Sequence, residues 1–566
     1  MSELTTSVEE TPQDWLGHGG RGLTSNIVAA EVPPTCHPLG PNNKLVFAPG
    51  LLSGTVAANS GRLSAGAKSP LTGTIKESNS GGTAAQLLAR CGCKALIIEG
   101  QPEEDKWYSL AVSPQGVTIS EESELIGKGN FAVLETLAGR LEGKQGVMTI
   151  GPAGEMRLCS ANISVKDPDG HLRSCGRGGL GAVMGSKKVK FISVDPQDGK
   201  VEVALPDDFK TANRAFAKAL IDHPVSQTLG TYGTNVLINV INEAGGLPTK
   251  NFTSGQFEGH DKISGETMHD IIEERGGKPK HSCQAGCVIQ CSQIYNDKDK
   301  QYKTSGFEYE SIWAMGAGCC VDNLDDIAEA DVLMDDIGID TIETSVAIGV
   351  AMEAGVLEFG DGTGICRILK EDVAKGTALG RIIGNGAGSV GRAFGVTRVP
   401  VVKNQAIPAY DPRSVKGMAI TYATSTMGGD HTVGYAVATN ILNVGGSVDP
   451  LTKEGQVELS RNLQIATAAI DSTGMCLFIA FAALDDPACL PALIDLLNAR
   501  YDLSLTGDDV TNLGKSILKT EKGFNEAAGF NNADDRLPEF FYTEPLPPHN
   551  SVVDFSGEEI DSFWNF

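Results

Sequence analysis

Cys283, Cys287 and Cys291, within HSCQAGCVIQC (281–291), set three thiols at C-x3-C-x3-C spacing. A loop this short cannot brace a fold with disulfides, but its thiolates can wrap the faces of an inorganic centre. An iron–sulfur cluster takes four thiolates, so one must come from elsewhere. Structural zinc pairs a C-x2-4-C unit with a second Cys or His pair, and no such pair follows here. Three unrelated buried cysteines are the remaining alternative. A second constellation is a pair of echoing motifs, DDIGID (Asp335–Asp340) and DSTGMC (Asp471–Cys476), both of the form D-x-x-G-x-[D/C]. Each follows a helical stretch and places its glycine, Gly338 or Gly474, where a helix closes in a left-handed turn. Asp335, Asp340 and Asp471 could there accept hydrogen bonds from the ring N–H groups of a ligand. One copy is only a helix end. The pair suggests two ligand halves held with approximate two-fold symmetry, and Cys476 would bring the fourth thiol beside that ligand.

The rest of the composition narrows the partners. The chain of 566 residues carries a net charge of −25, which argues against nucleic acid or an anionic membrane surface. Thirteen cysteines scattered over this length suit a reducing compartment, with thiols free or on metal. The acidic N-terminus is no secretory signal, and no apolar run approaches the ~20 residues of a membrane span. A cytoplasmic protein is expected. Glycine is in excess, 68 residues or about one in eight against the usual ~7%. It clusters at 17–22, 53–82, 176–185 and 376–395, as if loops approached a large phosphate-bearing ligand from several sides; tight turns are the plainer explanation for any single cluster.

The elements that must position these residues fall into three parts. Short apolar runs at 44–50, 94–100, 144–151 and 187–194 read as strands, interrupted by helical stretches at 81–92 and 131–143. After Pro206 the pattern turns helical, at 207–223, 325–337, 340–355, 364–378, 453–470 and 490–500, and strand signals become sparse. No repeat of 20–50 residues is visible. The fold expected is an α+β N-terminal sheet domain (1–205) followed by two mainly α-helical domains (206–398 and 399–566), divided by the proline-punctuated stretch 399–414. The C-terminal tail is expected to be a surface strap.

SGRLSAGAKSPLTG (60–73), SNSGG (78–82), GPAGE (151–155), GRGGLGAVMGSK (176–187), the cysteine triplet, EYES (308–311), DDIGID, AYDPR (409–413), GGDH (428–431) and DSTGMCLF (471–478) occur in one collinear order. Together they resemble the aldehyde ferredoxin oxidoreductase family from about Trp15 to Pro547. The resemblance implies a sheet domain under two helical domains that close over a tungsten bis-pyranopterin, molybdenum being possible, with one [4Fe–4S] cluster. Cys283, Cys287, Cys291 and Cys476 match the cluster ligands, and Arg62 matches the arginine between cluster and pterin. Asn79 and Gly81 match one phosphate loop; Arg173, Gly176 and Arg177 match a second, where guanidinium forks suit phosphate. Asp335, Gly338, Asp340, Asp471 and Gly474 match the pterin-binding turns. Glu310 and His431 match the titratable pair beside the metal.

Three departures stand out. The triplet has one residue more in its first gap than the archaeal enzymes. The strand pair that usually precedes the stretch Gly17–Leu23 is missing, which leaves the first sheet smaller or completed by a partner chain. Glu329 has no histidine three residues on, and Arg367 stands at the matching downstream position, so no E-x-x-H interface metal is expected. The resemblance implies oxidation of a small aldehyde to its acid, with electrons leaving through the cluster to ferredoxin or an Fe–S subunit, in a homo-oligomer or hetero-complex. The alternatives are a low-potential reductase of the same fold, acting on benzoyl-coenzyme A or a carboxylic acid, and a non-catalytic Fe–S subunit.

Overall fold

A computed structural model describes residues 1–141 and 145–566. The ends of the predicted helix 131–143 and strand 144–151 that fall at 142–144 lie outside the described residues. The N-terminal part contains two sheets. The first, ordered β3-β2-β1-β4, is built from β1 (Leu45–Pro49), β2 (Leu63–Lys68), β3 (Ile75–Ser80) and β4 (Leu96–Ile98). The second, ordered β6-β5-β10-β7-β8-β9, adds β5 (Tyr108–Ser113), β6 (Gly116–Glu121), β7 (Gly146–Thr149), β8 (Ile163–Lys166), β9 (Leu172–Cys175) and β10 (Val189–Val194). Strands β1, β2 and β10 are buried on both faces. The stretch 53–82, read as glycine-rich loop, in fact carries β2 and β3, because its small residues alternate within a covered sheet.

The two sheets share one topology. Strands β1–β4 pair antiparallel in the order 3-2-1-4, and β7–β10 pair antiparallel in the order 9-8-7-10. A short helix joins the last two strands of each set, Ala84–Arg90 and Leu180–Ser186. The registers Ser64↔Asn79 and Ser164↔Ser174 make Gly81 the counterpart of Gly176 and Arg62 the counterpart of Asn162. This repeat spans about a hundred residues, longer than the 20–50-residue window in which none was visible. The first set lacks counterparts of β5 and β6. Its β4 edge is approached instead by the N-terminus, whose amine donates to the Glu99 carbonyl at 2.7 Å.

The remainder is mainly helical, with helices at Pro206–Asp222, Leu324–Ile337, Thr341–Glu353, Gln456–Thr473 and Cys489–Tyr501 close to their predicted spans. Helix Gly507–Ala527 has no counterpart in the sequence reading. It is polar on most of its surface, and its Gly514 lies against the Ile465 carbonyl where a side chain would collide. The expectation of few strands fails at 278–305, where β11 (Lys278–His281), β12 (Ser292–Asn296) and β13 (Tyr302–Ser305) form an antiparallel sheet. The cysteine triplet is the loop between β11 and β12. The stretch 399–414 contains a hairpin, Val401–Val402 with Gln405–Ala406, turned at Lys403 and Asn404 with φ of +46° and +63°. The tail is no surface strap: Leu546, Phe563 and Ile560 are fully buried, because their apolar side chains complete the helical core.

One buried ion pair ties the layers together. Arg21, on helix Gly20–Glu31, donates from Nε and Nη2 to both Glu521 carboxylate oxygens at 2.9 and 2.8 Å, and its Nη1 lies 3.4 Å from Asp471. Arg21 and Glu521 are 1% and 0% exposed. Arg21→Met should therefore lower stability by about 3–5 kcal/mol by stranding a buried carboxylate; a melting temperature equal to wild type would contradict this.

Candidate active site

The helical layer docks on the sheets through the two D-x-x-G motifs, and it does so the same way twice. Gly338 and Gly474 end their helices with φ of +77° and +83°, the left-handed region where a side chain is strained. Gly338 closes on Gly151, and Gly474 on Gly50, backbone against backbone. The Asn162 N–H donates to the Gly338 carbonyl at 2.9 Å, and the Arg62 N–H donates to the Gly474 carbonyl at 3.0 Å. Each motif thus sits on the matching strand start of one sheet repeat.

Between the layers lies a cavity of about 410 Å³. Arg62, Asn79, Gly81, Arg173, Gly176, Arg177, Asp335, Asp340 and Asp471 all line it, together with Glu310, His431 and three of the four candidate thiols. Gly338 and Gly474 stand behind the wall as the turns just described. Glycine clusters 17–22 and 376–395 do not reach the cavity; they serve helix starts and helix packing.

Cys283, Cys291 and Cys476 gather around Arg62, and Cys287 adjoins Cys283 and Cys476, although 185 to 193 residues separate Cys476 from the triplet. Cys283, Cys291 and Cys476 face the cavity, and Arg62 Nη2 lies 3.3 Å from Cys476 Sγ. Cys287 is held by Asn59, whose Nδ2 is 3.7 Å from its sulfur and whose Oδ1 accepts from the Val288 N–H at 2.9 Å. Burial pushes the Cys287 thiol up to about 12 and raises Cys283 and Cys291, with Arg62 pulling Cys283 back. A coordinating metal would deprotonate such thiols outright. No three His, Cys, Asp or Glu side chains among the described residues converge as ligands of a single ion. Four thiols are the ligand set that an iron–sulfur cluster takes.

The same cavity is lined by the titratable pair. His431 Nε2 lies 3.2 Å from Glu310 Oε1, and Glu310 Oε2 accepts from the Ala409 N–H at 3.2 Å. Oε1 is buried and has no aligned protein donor. Burial pushes the Glu310 carboxyl up to about 8; the Ala409 N–H and Arg177 oppose this, while Asp430 and Asp340 add to it. Burial lowers His431 to about 4, leaving a neutral ring at pH 7.

The cavity is suited to a polar ligand. Arg62 Nε, Arg173 Nε, Glu77 Oε1, Ser80 Oγ and His431 Nδ1 are buried on its lining without a protein hydrogen-bond partner. Such groups are costly unless something bonds them. Each of the cavity arginines also has an arm engaged by protein. Arg173 Nη2 donates to Asp167 at 3.0 Å and to Ser305 at 2.8 Å. Arg177 donates to the Gly429 and Ala406 carbonyls at 2.8 and 2.6 Å and lies 3.4 Å from Asp340, so its fork clamps protein segments together.

Sequence reading missed Lys76 and Asp430. Lys76 Nζ sits 3.0 Å from Asp430 Oδ2, and both are buried. Lys76 and Arg177 overcome burial and hold the Asp430 carboxyl well below the usual range. Asp430 in turn accepts from the Thr432 N–H and hydroxyl at 3.0 and 2.8 Å, fixing the turn that presents His431. Lys76 lies two residues before the motif SNSGG and Asp430 lies within GGDH, but 354 residues separate them, so no local pattern joins them. Glu329 takes Lys303 as its ion partner.

One cavity lined by three of the candidate thiols and by a buried carboxylate–imidazole pair is the arrangement expected of an oxidoreductase. The model of the aldehyde ferredoxin oxidoreductase N-terminal domain matches residues 1–196, and that of domains 2 and 3 matches 211–563. The chain belongs to the aldehyde ferredoxin oxidoreductase family. It is 36% identical over 558 residues to the tungsten-containing aldehyde ferredoxin oxidoreductase of Pyrococcus furiosus, covering 95% of this chain and 89% of that protein. The Thermococcus kodakarensis enzyme of the same name is 36% identical over 561 residues with the same coverage. The WOR-like subunit of the P. furiosus aliphatic sulfonate oxidoreductase is 25% identical over 576 residues. Among solved structures, the active-site complex BamBC of benzoyl coenzyme A reductase with 1,5-dienoyl-CoA superposes with a TM-score of 0.78. It covers 99% of this chain and 91% of that one at 18% identity, which shows a shared fold. No helix among the described residues is long and apolar enough to cross a membrane.

Proposed function

We propose that this chain oxidises small aldehydes to carboxylic acids on a tungsten bis-pyranopterin, with molybdenum as the alternative metal, and passes electrons through one [4Fe–4S] cluster to ferredoxin or an Fe–S subunit. The observation that carries this reading is the single cavity shared by the thiol set, Arg62 and the Glu310–His431 pair. Cys283, Cys287, Cys291 and Cys476 hold the cluster. Asn79, Gly81, Arg173 and Gly176 face the pterin phosphates, with Arg177 bracing their loop. Asp335, Asp340 and Asp471, on the turns closed by Gly338 and Gly474, accept from the pterin rings. When bound, the cofactor supplies a two-electron sink and the cluster divides the pair into single electrons. The aldehyde carbon gains oxygen from water, releasing two protons and two electrons. Glu310 takes a proton at Oε1, and neutral His431 donates its ring N–H to the substrate carbonyl, oriented through Asp430. The 36% identity to aldehyde enzymes favours this direction over reduction of an acid or thioester. Thirteen free cysteines support work in the reducing cytoplasm, in a homo-oligomer or hetero-complex.

Protein purified without oxygen should contain about four irons together with tungsten or molybdenum, and should reduce benzyl viologen when aldehyde is added. Iron without either heavier metal would leave an electron-transfer subunit, and full metal without aldehyde-dependent reduction would reject the substrate class.

A further inference from the structure

The two D-x-x-G motifs differ in the carboxyls around them. Asp335 and Asp471 hold the same place, each three residues before its glycine. One helical turn before Asp335 stands Asp331, on the same face of helix Leu324–Ile337. Asp331 is 3% exposed, lines the cavity and accepts from the Thr304 hydroxyl at 2.8 Å. One turn before Asp471 stands Thr467, which also lines the cavity but brings no carboxyl.

The acid missing there comes from the sheet. Glu77, on β3, is 6% exposed and lines the same cavity, with Oε1 buried and without a protein partner. Its carboxyl adjoins the Ser64 hydroxyl of β2 and the Asp471 carboxyl. A Cβ on Gly20 would lie 3.2 Å from Ser64 Oγ and 2.1 Å from the Asp471 carbonyl oxygen, so strand and motif meet at this point. In the other sheet repeat the position of Glu77 is held by Leu172, since Gly66↔Glu77 and Lys166↔Leu172 are equivalent pairs. Each half of the cavity therefore presents two carboxyls. The second is supplied by the helix in one half and by the strand in the other, so a symmetry broken in sequence is restored in chemistry.

We infer that Glu77 and Asp331 are further cofactor-binding residues: each pterin half is gripped by two carboxyls, Glu77 with Asp471 and Asp331 with Asp335. The inference rests on the bis-pterin reading proposed above. Neither Glu77 nor Asp331 makes an ion pair among the described residues; Arg21 is shared by Glu521 and Asp471, and Lys76 is taken by Asp430. Burial, and after it the charge of Asp471, raises the Glu77 carboxyl; burial, and after it the charge of Asp331, raises that of Asp335. Neighbouring buried carboxyls do not both ionise, so each pair keeps a proton. Such a pair offers carboxylate oxygens to adjacent N–H donors and an O–H to a ring nitrogen or carbonyl. The aminopyrimidinone edge of a pterin carries both kinds of group.

The test uses the holoenzyme purified without oxygen, the variants Glu77→Leu, Glu77→Gln and Asp331→Leu, and the double variant Glu77→Leu with Thr467→Asp. Pterin is followed by the fluorescence of its oxidised form, both as it leaves the folded protein and after acid release. Tungsten, molybdenum and iron are measured on the same preparations. Leucine suits position 77, because Leu172 occupies the equivalent strand position facing the same cavity. Pterin should leave Glu77→Leu and Asp331→Leu about tenfold faster or more, as loss of a hydrogen bond to a charged ligand group predicts. Pterin and the heavier metal should fall together while iron stays as in wild type. The amide of Glu77→Gln donates and accepts as a neutral acid does, so this variant should hold its pterin close to the wild-type level. Thr467→Asp should restore retention to Glu77→Leu by returning a carboxyl to that half from the helix, which a purely structural Glu77 would not allow. Wild-type retention in either leucine variant would overturn the pair in its half, and a loss in Glu77→Leu that Thr467→Asp leaves uncorrected would do the same. Wild-type protein that holds iron but no pterin would instead overturn the bis-pterin reading, and the carboxyl pairs with it.

Discussion

Glu310→Gln should fold, keep its cluster and metal, and lose aldehyde oxidation by about 10²–10⁴-fold, the usual worth of a positioned general base. The amide preserves the shape of the side chain and can still accept from the Ala409 N–H, but it cannot take a proton. The pH profile separates this role from a structural one. A base works ionised, and burial holds the Glu310 carboxyl up to about 8. The wild-type kcat/KM should therefore climb with pH and level off above about 8, and the variant should lack that limb. Stability moves the other way. The native state binds this proton more tightly than an unfolded glutamate of pKa about 4.3, so Glu310's contribution is greatest below that value and is lost as pH rises through about 8. The variant, with no buried charge to form, should melt no lower than wild type at alkaline pH. Near-normal turnover at full metal occupancy would remove Glu310 from the mechanism.

Cys476→Ser should disrupt the cluster itself. Cys476 is fixed at both ends, its N–H donating to the Asn59 carbonyl at 3.0 Å and its sulfur 3.3 Å from the Arg62 guanidinium. A serine oxygen on the shorter C–O bond is a harder and poorer ligand for iron. Changes outside the ligand shell of a metal typically cost 10–100-fold in affinity or activity, and loss of a ligand should exceed about that range. Iron content should fall, and the cluster's electron paramagnetic resonance signal should vanish or change form. Cys91→Ser, half-buried near the Asp195 carbonyl, should leave both unchanged. An intact signal with full iron in Cys476→Ser would mean that the fourth ligand is another residue.

Local pattern by itself determined a good deal of this protein. Helices such as Leu324–Ile337 and Gln456–Thr473 follow from their apolar spacing, and Gly338 and Gly474 end them in left-handed turns because a Cβ there is strained. The duplicated D-x-x-G pattern carried the idea of a two-fold arrangement, and the cysteine spacing carried the idea of a cluster. Both are short-range signals, set by steric and bonding rules that act within a few residues. Tertiary structure decided what depends on distance across the chain. The partnering of Lys76 with Asp430, and of Arg21 with Glu521, joins segments hundreds of residues apart. The sheet repeat shows only in strand order and register, because pairing constrains which residues face each other and not which types they are. The short strands around the triplet and the polar helix Gly507–Ala527 gain their stability from packing against neighbours, which no local sequence window contains. Burial likewise sets the charge states of Glu310 and His431, since the low-polarity wall that disfavours their ionised forms is assembled from segments brought together only when the chain folds.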